Sequence, residues 1–271
     1  MTELVADSPV DPIALMNVAA GIARRAGDMV LIGRRRGPVD ADTKSSPTDM
    51  VTWWDGRSEE LIVRELTERR PHDGVLAEEG SARASDSGVV WVVDPIDGTT
   101  NFLYAMAGFA VSIAATVEGR SIAGAVYLPV TRELFVAARG SGAWLGGRRL
   151  RCSGTTDLDR ALVGTGFSYR SDDRTRQGRR VASIIGRVRD VRRLGAAAPD
   201  LCFVAAGRLD AYFEENLQPW DVAAGSLVAE EAGAVVTDFD GGPARTEQVL
   251  ATNPALHADM IALLAEPSAE D

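Results

Sequence analysis

The sequence predicts an α/β fold, an α+β sandwich of alternating α, β, α, β and α layers. Three observations predict it. Near the start, Ile13, Met16, Ala20, Ala23 and Met29 or Val30 recur at helical spacing. In the middle, β-type runs are punctuated by glycine and proline. Beyond about residue 156, short strands alternate with helices, as in an α/β unit. The chain therefore divides into an N-terminal α+β part over 1–155, with a helix pair and a large antiparallel-rich sheet. A C-terminal α/β part over 156–271 holds a smaller mixed sheet.

The elements follow in order. Residues 1–10 read as a frayed arm. A helix runs from Pro12 to about Arg35, with Asp11 as N-cap and Pro12 at its first position. Residues 44–55 are polar and turn-rich, then briefly apolar, then acidic. A second helix spans about Gly56 to Arg69, with Leu61, Ile62 and Leu66 on one face. Val75-Leu76-Ala77 is a short strand ending in Glu78-Glu79, and 80–88 is a surface loop. After the apolar run at Trp91 come strands at Phe109–Val117, Ile122–Leu128 and Glu133–Ala137, and a hairpin around Gly140–Gly147. The second part reads as strand Ala161–Val163, helix Asp173–Ile185, strand near Val191, helix Ala197–Ala206 and strand Leu209–Phe213. Helix Asp221–Ala232, strands Ala234–Asp238 and Val249–Thr252 and helix Pro254–Leu264 complete it.

Composition removes whole classes of function. Lys and Arg number 29 against 39 Asp and Glu, a net charge of −10, which disfavours direct nucleic-acid binding. No apolar run approaches the roughly 20 residues of a membrane span. The N-terminus has no signal-peptide pattern, and Cys152 and Cys202 are far apart, which places the protein in the cytoplasm with reduced thiols. With two histidines in the chain, a histidine-rich zinc site or a Ser-His-Asp triad is disfavoured. A metal site here is built of oxygens.

One stretch carries the chemistry: Trp91-Val92-Val93-Asp94-Pro95-Ile96-Asp97-Gly98-Thr99-Thr100-Asn101-Phe102. A buried strand ends in two aspartates three apart. Pro95 lacks a ladder donor and extends Asp94. Gly98-Thr99-Thr100 opens a helix whose free N–H groups suit an anion. Two carboxylates beside a helix N-terminus suit a hard divalent cation and a phosphate held together. Asp55, Glu78-Glu79 and Asp221 after Trp220 end other elements in acid. Taken singly, Glu78-Glu79 is a solvated turn and Trp220-Asp221 a core tryptophan with a helix cap.

Together these residues resemble the inositol monophosphatase family, within the metal-dependent, lithium-sensitive phosphatases. Asp94 to Phe102 matches the first signature, and Trp220-Asp221-Val222-Ala223-Ala224-Gly225 with Glu231 to Ala234 matches the second. Lys44 to Asp49 with Thr52 and Asp55 matches the N-terminal loop. Arg193 to Ala198, with Cys202, Ala206-Gly207 and Asp210 to Glu214, matches the substrate side. The resemblance covers about residues 12 to 265, and the bacterial inositol-1-monophosphatases look most similar.

The resemblance implies a layered inositol-monophosphatase/fructose-bisphosphatase-like fold and a Mg2+-dependent phosphomonoesterase acting on myo-inositol-1-phosphate. It implies two or three Mg2+ ions. Glu78, Asp94 and the Ile96 carbonyl would hold one; Asp94, Asp97 and Asp221 a second; Glu78 would share a third. Thr99, oriented by Asp55, would position the attacking water, which makes Asp55, Glu78 and Thr99 the catalytic group. Gly98 and Thr99 would hold the phosphate. Gly195, Ala196, Ala197 and Glu214, with Glu78, Asp97 and Asp221, would line the substrate site. Glu79 is read as supporting the ligands, and Lys44 as offsetting phosphate charge or holding its loop. A homodimer is usual in the family, and a small phosphate ester is the expected partner. Ala77, Ala196, Trp53, Trp54 and Asn216 depart from the family pattern, and Ala196 and the tryptophans bear on sugar preference. Rivals on the same scaffold act on fructose-1,6-bisphosphate, histidinol phosphate or adenosine-3′,5′-bisphosphate. The arginines at 170, 174, 176, 179 and 180 offer a second anion site or a solvated helix face. A partner role in transcription or RNA processing is the alternative from another class.

Overall fold

A computed structural model describes residues 10–37, 39–44 and 49–265. The arm expected over 1–10, apart from Val10, and Ser45, Ser46, Pro47 and Thr48 of the N-terminal loop lie outside the described residues.

Helix α1 (Pro12–Arg34) starts where expected, because the Asp11 carboxylate accepts from Ile13 N at 2.9 Å. Strands β1 (Ala41–Thr43) and β2 (Met50–Thr52) pair antiparallel; β1 lies just before the stretch read as turn-rich and β2 within it. Each is three residues long, too short for an alternating pattern to show. Helix α2 (Trp53–Arg69) begins three residues before the expected Gly56. Thr52 and Asp55 form a capping box there, which pulls Trp53 and Trp54 into the first turn.

Strand β3 (Gly74–Ala77) is followed by β4 (Ala82–Arg83), a short edge strand in the segment expected to be loop. Strand β5 (Val89–Asp97) runs past Pro95 rather than ending at Asp94. Its register against the next strand shifts between Asp94 and Asp97, a bulge at the residue that cannot donate. Helix α3 (Thr99–Leu103) follows at once. Strands β6 (Ala110–Val117), β7 (Arg120–Leu128), β8 (Glu133–Ala138), β9 (Gly142–Leu145) and β10 (Arg148–Arg149) form the expected meander and hairpin. The eight strands order as β10-β9-β8-β7-β6-β5-β3-β4, with β3 parallel to β5 and the other pairs antiparallel.

The second part alternates as predicted: β11 (Leu162–Thr165), α4 (Ser171–Ile184), β12 (Asp190–Arg192), α5 (Ala197–Ala205), β13 (Ala211–Glu215), α6 (Pro219–Glu231), β14 (Val235–Thr237), β15 (Gln248–Thr252) and α7 (His257–Ala265). Its sheet orders as β12-β11-β13-β15-β14 and is mixed. Helix α7 starts later than Pro254, because Asn253 Oδ1 caps a turn by accepting from Ala255 N and Leu256 N.

Three apolar clusters stack these elements into five layers. Ile22, Ala26, Ile62 and Leu66 of α1 and α2 pack on Trp91, Ile113 and Ala125 of the large sheet. Its other face, with Val92, Val126 and Phe135, packs on Leu201, Leu227 and Val228 of α5 and α6, which also meet Tyr212 and Ala251 of the small sheet. Ile184, Met260 and Leu263 of α4 and α7 cover the small sheet's far face. Burying both sheets on both sides removes several thousand square ångströms of apolar surface from water, the main term favouring the fold. No helix among the described residues is long and apolar enough to cross a membrane.

Candidate active site

The acids gather in one cleft of about 640 Å3. Asp94 and Asp97 come from the bulged end of β5 and are 2% and 7% exposed. The bulge is pinned on both sides: Asp94 Oδ1 accepts from Ile96 N at 3.0 Å, and Ser58 Oγ of α2 donates to the Pro95 carbonyl at 2.9 Å. Asp221 sits in the first turn of α6, where its Oδ2 accepts from Gln218 N at 2.7 Å. Asp94, Asp97 and Asp221 each place a carboxylate oxygen within 4.8 Å of the other two. Glu78, just past β3, lines the same cleft, and its charge is the largest neighbouring influence that raises Asp94.

Burial, and then the neighbouring carboxylates, push Asp94 and Asp97 well above the usual carboxylate range. Burial pushes Asp221 up to about 7 against the Gln218 N–H that holds it down, with Glu78 and Glu214 adding to the rise. Two buried acids and a half-buried one, with oxygen donors and no histidine among the lining residues, are a donor set for a hard divalent cation. A bound cation would relieve the like-charge repulsion that otherwise protonates them.

Asp55 does not line the cleft. It is fully buried, its Oδ2 accepts from Thr52 N at 2.8 Å and Thr52 Oγ1 at 2.5 Å, and its Oδ1 accepts from Thr99 Oγ1 at 3.1 Å. The Thr99 hydroxyl shares its hydrogen with the Ile96 carbonyl at 3.0 Å. Burial raises Asp55 to about 6, against its bonds to Thr52. Asp55 therefore reaches the cleft only through Thr99. Gly98 is a required glycine: its φ is +88°, and a Cβ would lie 2.9 Å from the Gly108 carbonyl oxygen and 3.0 Å from Ala196 Cβ.

The substrate-side residues are carried in by two long-range ties. Asp97 Oδ2 accepts from Ala198 N at 2.7 Å, capping α5 from another sheet. Asn101 Nδ2 donates to the carbonyls of Gly108 at 2.6 Å and Leu194 at 2.8 Å. Gly195, Ala196 and Ala197 thereby face the cleft, and Glu214 of β13 joins them. Burial raises Glu214 to about 7, although the Tyr212 hydroxyl and the Arg193 charge oppose the rise.

Lys44 Nζ lies 2.9 Å from Glu78 Oε1 and 2.5 Å from Glu79 Oε1. It thus holds the end of β1 to the acid turn, and burial raises Glu79 to about 7 even so. Glu59 of α2, not singled out in the sequence, accepts from Glu79 N at 2.7 Å and Ser81 N at 2.9 Å and fixes that turn. Also missed were Phe167, Ser168 and Tyr169, which line the cleft beside Arg170 and Arg193. Their signal was available: 167–170 follow the C-terminal end of a parallel strand, where α/β sheets place ligands.

The tryptophan pair is corrected. Trp53 is 66% exposed, stacks edge-on against Trp54 and lies under Arg57, while Trp54 packs on Gly33 of α1. Neither lines the cleft, so the bearing on sugar preference expected of them has no contact behind it. Of the arginine run, Arg170 alone borders the cleft; Arg176 and Arg180 pair with Glu215 at 2.8 and 2.6 Å, and Arg174 donates to the Ser168 and Tyr169 carbonyls. The run is mainly a helix face tied to Glu215. Asn216 has φ +64°, the left-handed conformation for which glycine or asparagine is suited.

Residues 11–269 match the family model described as the inositol monophosphatase family. The chain belongs to the inositol monophosphatase family. It is 44% identical over 277 residues to the inositol-1-monophosphatase SuhB of Mycobacterium tuberculosis, covering 94% of each chain. It is 41% identical over 253 residues to the Nus factor SuhB of Escherichia coli K12, covering 92% of this chain and 94% of that one. The solved extragenic suppressor protein suhB of Bartonella henselae superposes with a TM-score of 0.89 at 37% identity, covering 94% and 99%. Membership makes this inositol monophosphatase family protein a phosphatase of the metal-dependent type, and Asp94, Asp97 and Asp221 are the acids that could hold its metal.

Proposed function

We propose that the chain is a Mg2+-dependent phosphomonoesterase that hydrolyses myo-inositol-1-phosphate and related inositol monophosphates to inositol and phosphate. It works as a cytoplasmic homodimer. The observation that carries this reading is the convergence of Asp94, Asp97 and Asp221 within 4.8 Å beside Thr99 and Gly98. Glu78, Asp94 and the Ile96 carbonyl would hold one ion, and Asp94, Asp97 and Asp221 a second, with Glu78 available to a third. Mg2+ supplies positive charge for the phosphoryl and leaving oxygens and an easier loss of a proton from water.

The chain's own groups do the rest. Thr99 gives its hydroxyl hydrogen to Asp55 and Ile96, so its lone pairs face the cleft and orient a water toward phosphorus. Asp55, raised to about 6, sits where it can take up proton density from that hydroxyl. Gly98 and Thr99 present first-turn N–H groups of α3 to the phosphate. Glu214 and the backbone at Gly195 to Ala197 receive the polyol.

The test is a phosphate-release panel with Mg2+ on inositol-1-phosphate, fructose-1,6-bisphosphate, histidinol phosphate and adenosine-3′,5′-bisphosphate. Inositol-1-phosphate is expected to show the highest kcat/KM; a preference for any other ester overturns the substrate. Asp94→Asn is expected to lower Mg2+-dependent turnover by roughly a hundredfold or more with the fold intact by circular dichroism. Retained turnover would remove Asp94 from the metal site.

A further inference from the structure

The alcohol wall of the cleft holds a device that the roles above do not use. Residues β11 and β13 run parallel, with Gly164 level with Tyr212 and Thr165 level with Phe213. Continuing that register sets Gly166 beside Glu214. Side chains two apart on a strand share a face. Gly164 and Gly166 therefore form a trough without side chains, and Tyr212 and Glu214 lie along it. A Cβ at Gly164 would meet Tyr212 Cδ2 at 3.3 Å. A Cβ at Gly166 would overlap Cδ and both carboxylate oxygens of Glu214, which are the three atoms nearest to it. The φ of Gly166 lies outside the left-handed region, so its backbone does not call for glycine. Only the carboxylate does. Tyr212, fully buried, donates its hydroxyl to that carboxylate. Both constraints place one charged acceptor at the cleft wall, within the field of Arg193.

We propose that Gly166 is a specificity-determining residue: its bare Cα seats the Glu214 carboxylate, which the Tyr212 hydroxyl locks in one orientation for a polyol phosphate. A carboxylate held this way accepts from two adjacent hydroxyl groups, so the substrates it favours carry vicinal hydroxyls on the alcohol part. A carboxylate free to rotate would lose that preference to the cost of ordering it. The inference rests on the phosphatase reading above and adds the residue that sets its selectivity.

The experiment uses the full chain with Mg2+ and measures kcat/KM for myo-inositol-1-phosphate and for p-nitrophenyl phosphate, which has no vicinal hydroxyls. Gly166→Ala is expected to lower the ratio of the two about tenfold, through KM for the inositol ester, as loss of a hydrogen bond to a charged group does. In a Glu214→Ala background the same substitution should change the ratio no further, because the glycine acts through the carboxylate. Tyr212→Phe keeps the ring and should lower the ratio in the same direction, about threefold. A crystal structure of Gly166→Ala should show the carboxylate out of its bond to Tyr212. An unchanged ratio, an equal fall in the Glu214→Ala background, or an unmoved carboxylate each overturns the proposal while leaving the phosphatase reading standing. A wild-type chain inactive on both esters overturns that reading and the proposal with it.

Discussion

Under the proposed reading, Thr99 is the residue on which hydrolysis would depend most narrowly. Its hydroxyl is bonded to Asp55 Oδ1 and to the Ile96 carbonyl, so it can only accept from whatever enters the cleft. Thr99→Val keeps the shape and removes the hydroxyl. We expect kcat to fall by roughly 100-fold or more with KM little changed, the signature of lost proton handling in the transition state; steady-state kinetics on inositol-1-phosphate checks it. Asn216 makes a different point. Its φ of +64° costs an ordinary side chain about 1 kcal/mol. Asn216→Ala should lower stability by about that amount and Asn216→Gly should not, measured by urea unfolding. The sequence showed an asparagine where glycine is usual; only the backbone angle explains why both serve. Glu59 shows the reverse. A glutamate in a helix among other charged residues carries no local sign that it will cap a turn 20 residues later.

At the scale of elements, one device recurs. Asp55 caps α2, Asp221 caps α6, and Asp97 caps α5 from a distance. Each acid is thus stabilised by the positive end of a helix that it also helps to start, which partly offsets the cost of burying it. The offset is incomplete, as the pKa directions show. Asp55 rises to about 6 and Asp221 to about 7, from 3.8, so between those values the folded chain holds protons that the unfolded chain releases. Stability of the metal-free protein should therefore fall as pH rises from about 4 to about 7. Mg2+ competes with those protons, so it should raise Tm more at about pH 8 than at about pH 5. Differential scanning fluorimetry with and without Mg2+ at both pH values decides it; an equal shift at both would place the Mg2+ elsewhere. The capping pairs Thr52/Asp55 and Gln218/Asp221 lie within four residues each and could be read along the chain. The Asp97 cap joins residues 101 apart and could not.

For the whole molecule, the central helix layer sets the separation of the two sheets, and so of the site's halves. Helices α5 and α6 touch at Gly225, where a Cβ would lie 2.9 Å from Leu201 Cβ and 3.1 Å from the Ala198 carbonyl oxygen. Gly225→Val should cost about 1–3 kcal/mol by overpacking. It should also weaken Mg2+ binding, because α5 anchors Asp97 and α6 carries Asp221. Thermal melts with and without Mg2+ test both effects; a destabilised chain with an undiminished Mg2+ shift would uncouple the layer from the site.

By itself the sequence determined the fold class, the order of most elements, and the acids at 55, 78, 94, 97 and 221. These are local signals: apolar period, turn residues, and carboxylates at element ends. It left the short pairs β1–β2 and β4 unseen, since two or three residues carry no period. Only the tertiary structure decided that Trp53 and Trp54 leave the cleft, that Arg176 and Arg180 turn to Glu215, and that Asp55 is fully buried outside the cleft lining. It alone set Gly166 under Glu214, 48 positions further along the chain. The physical reason is the same in each case. Burial and contact depend on packing between layers, and a residue's partners across layers leave no mark on its neighbours in the chain.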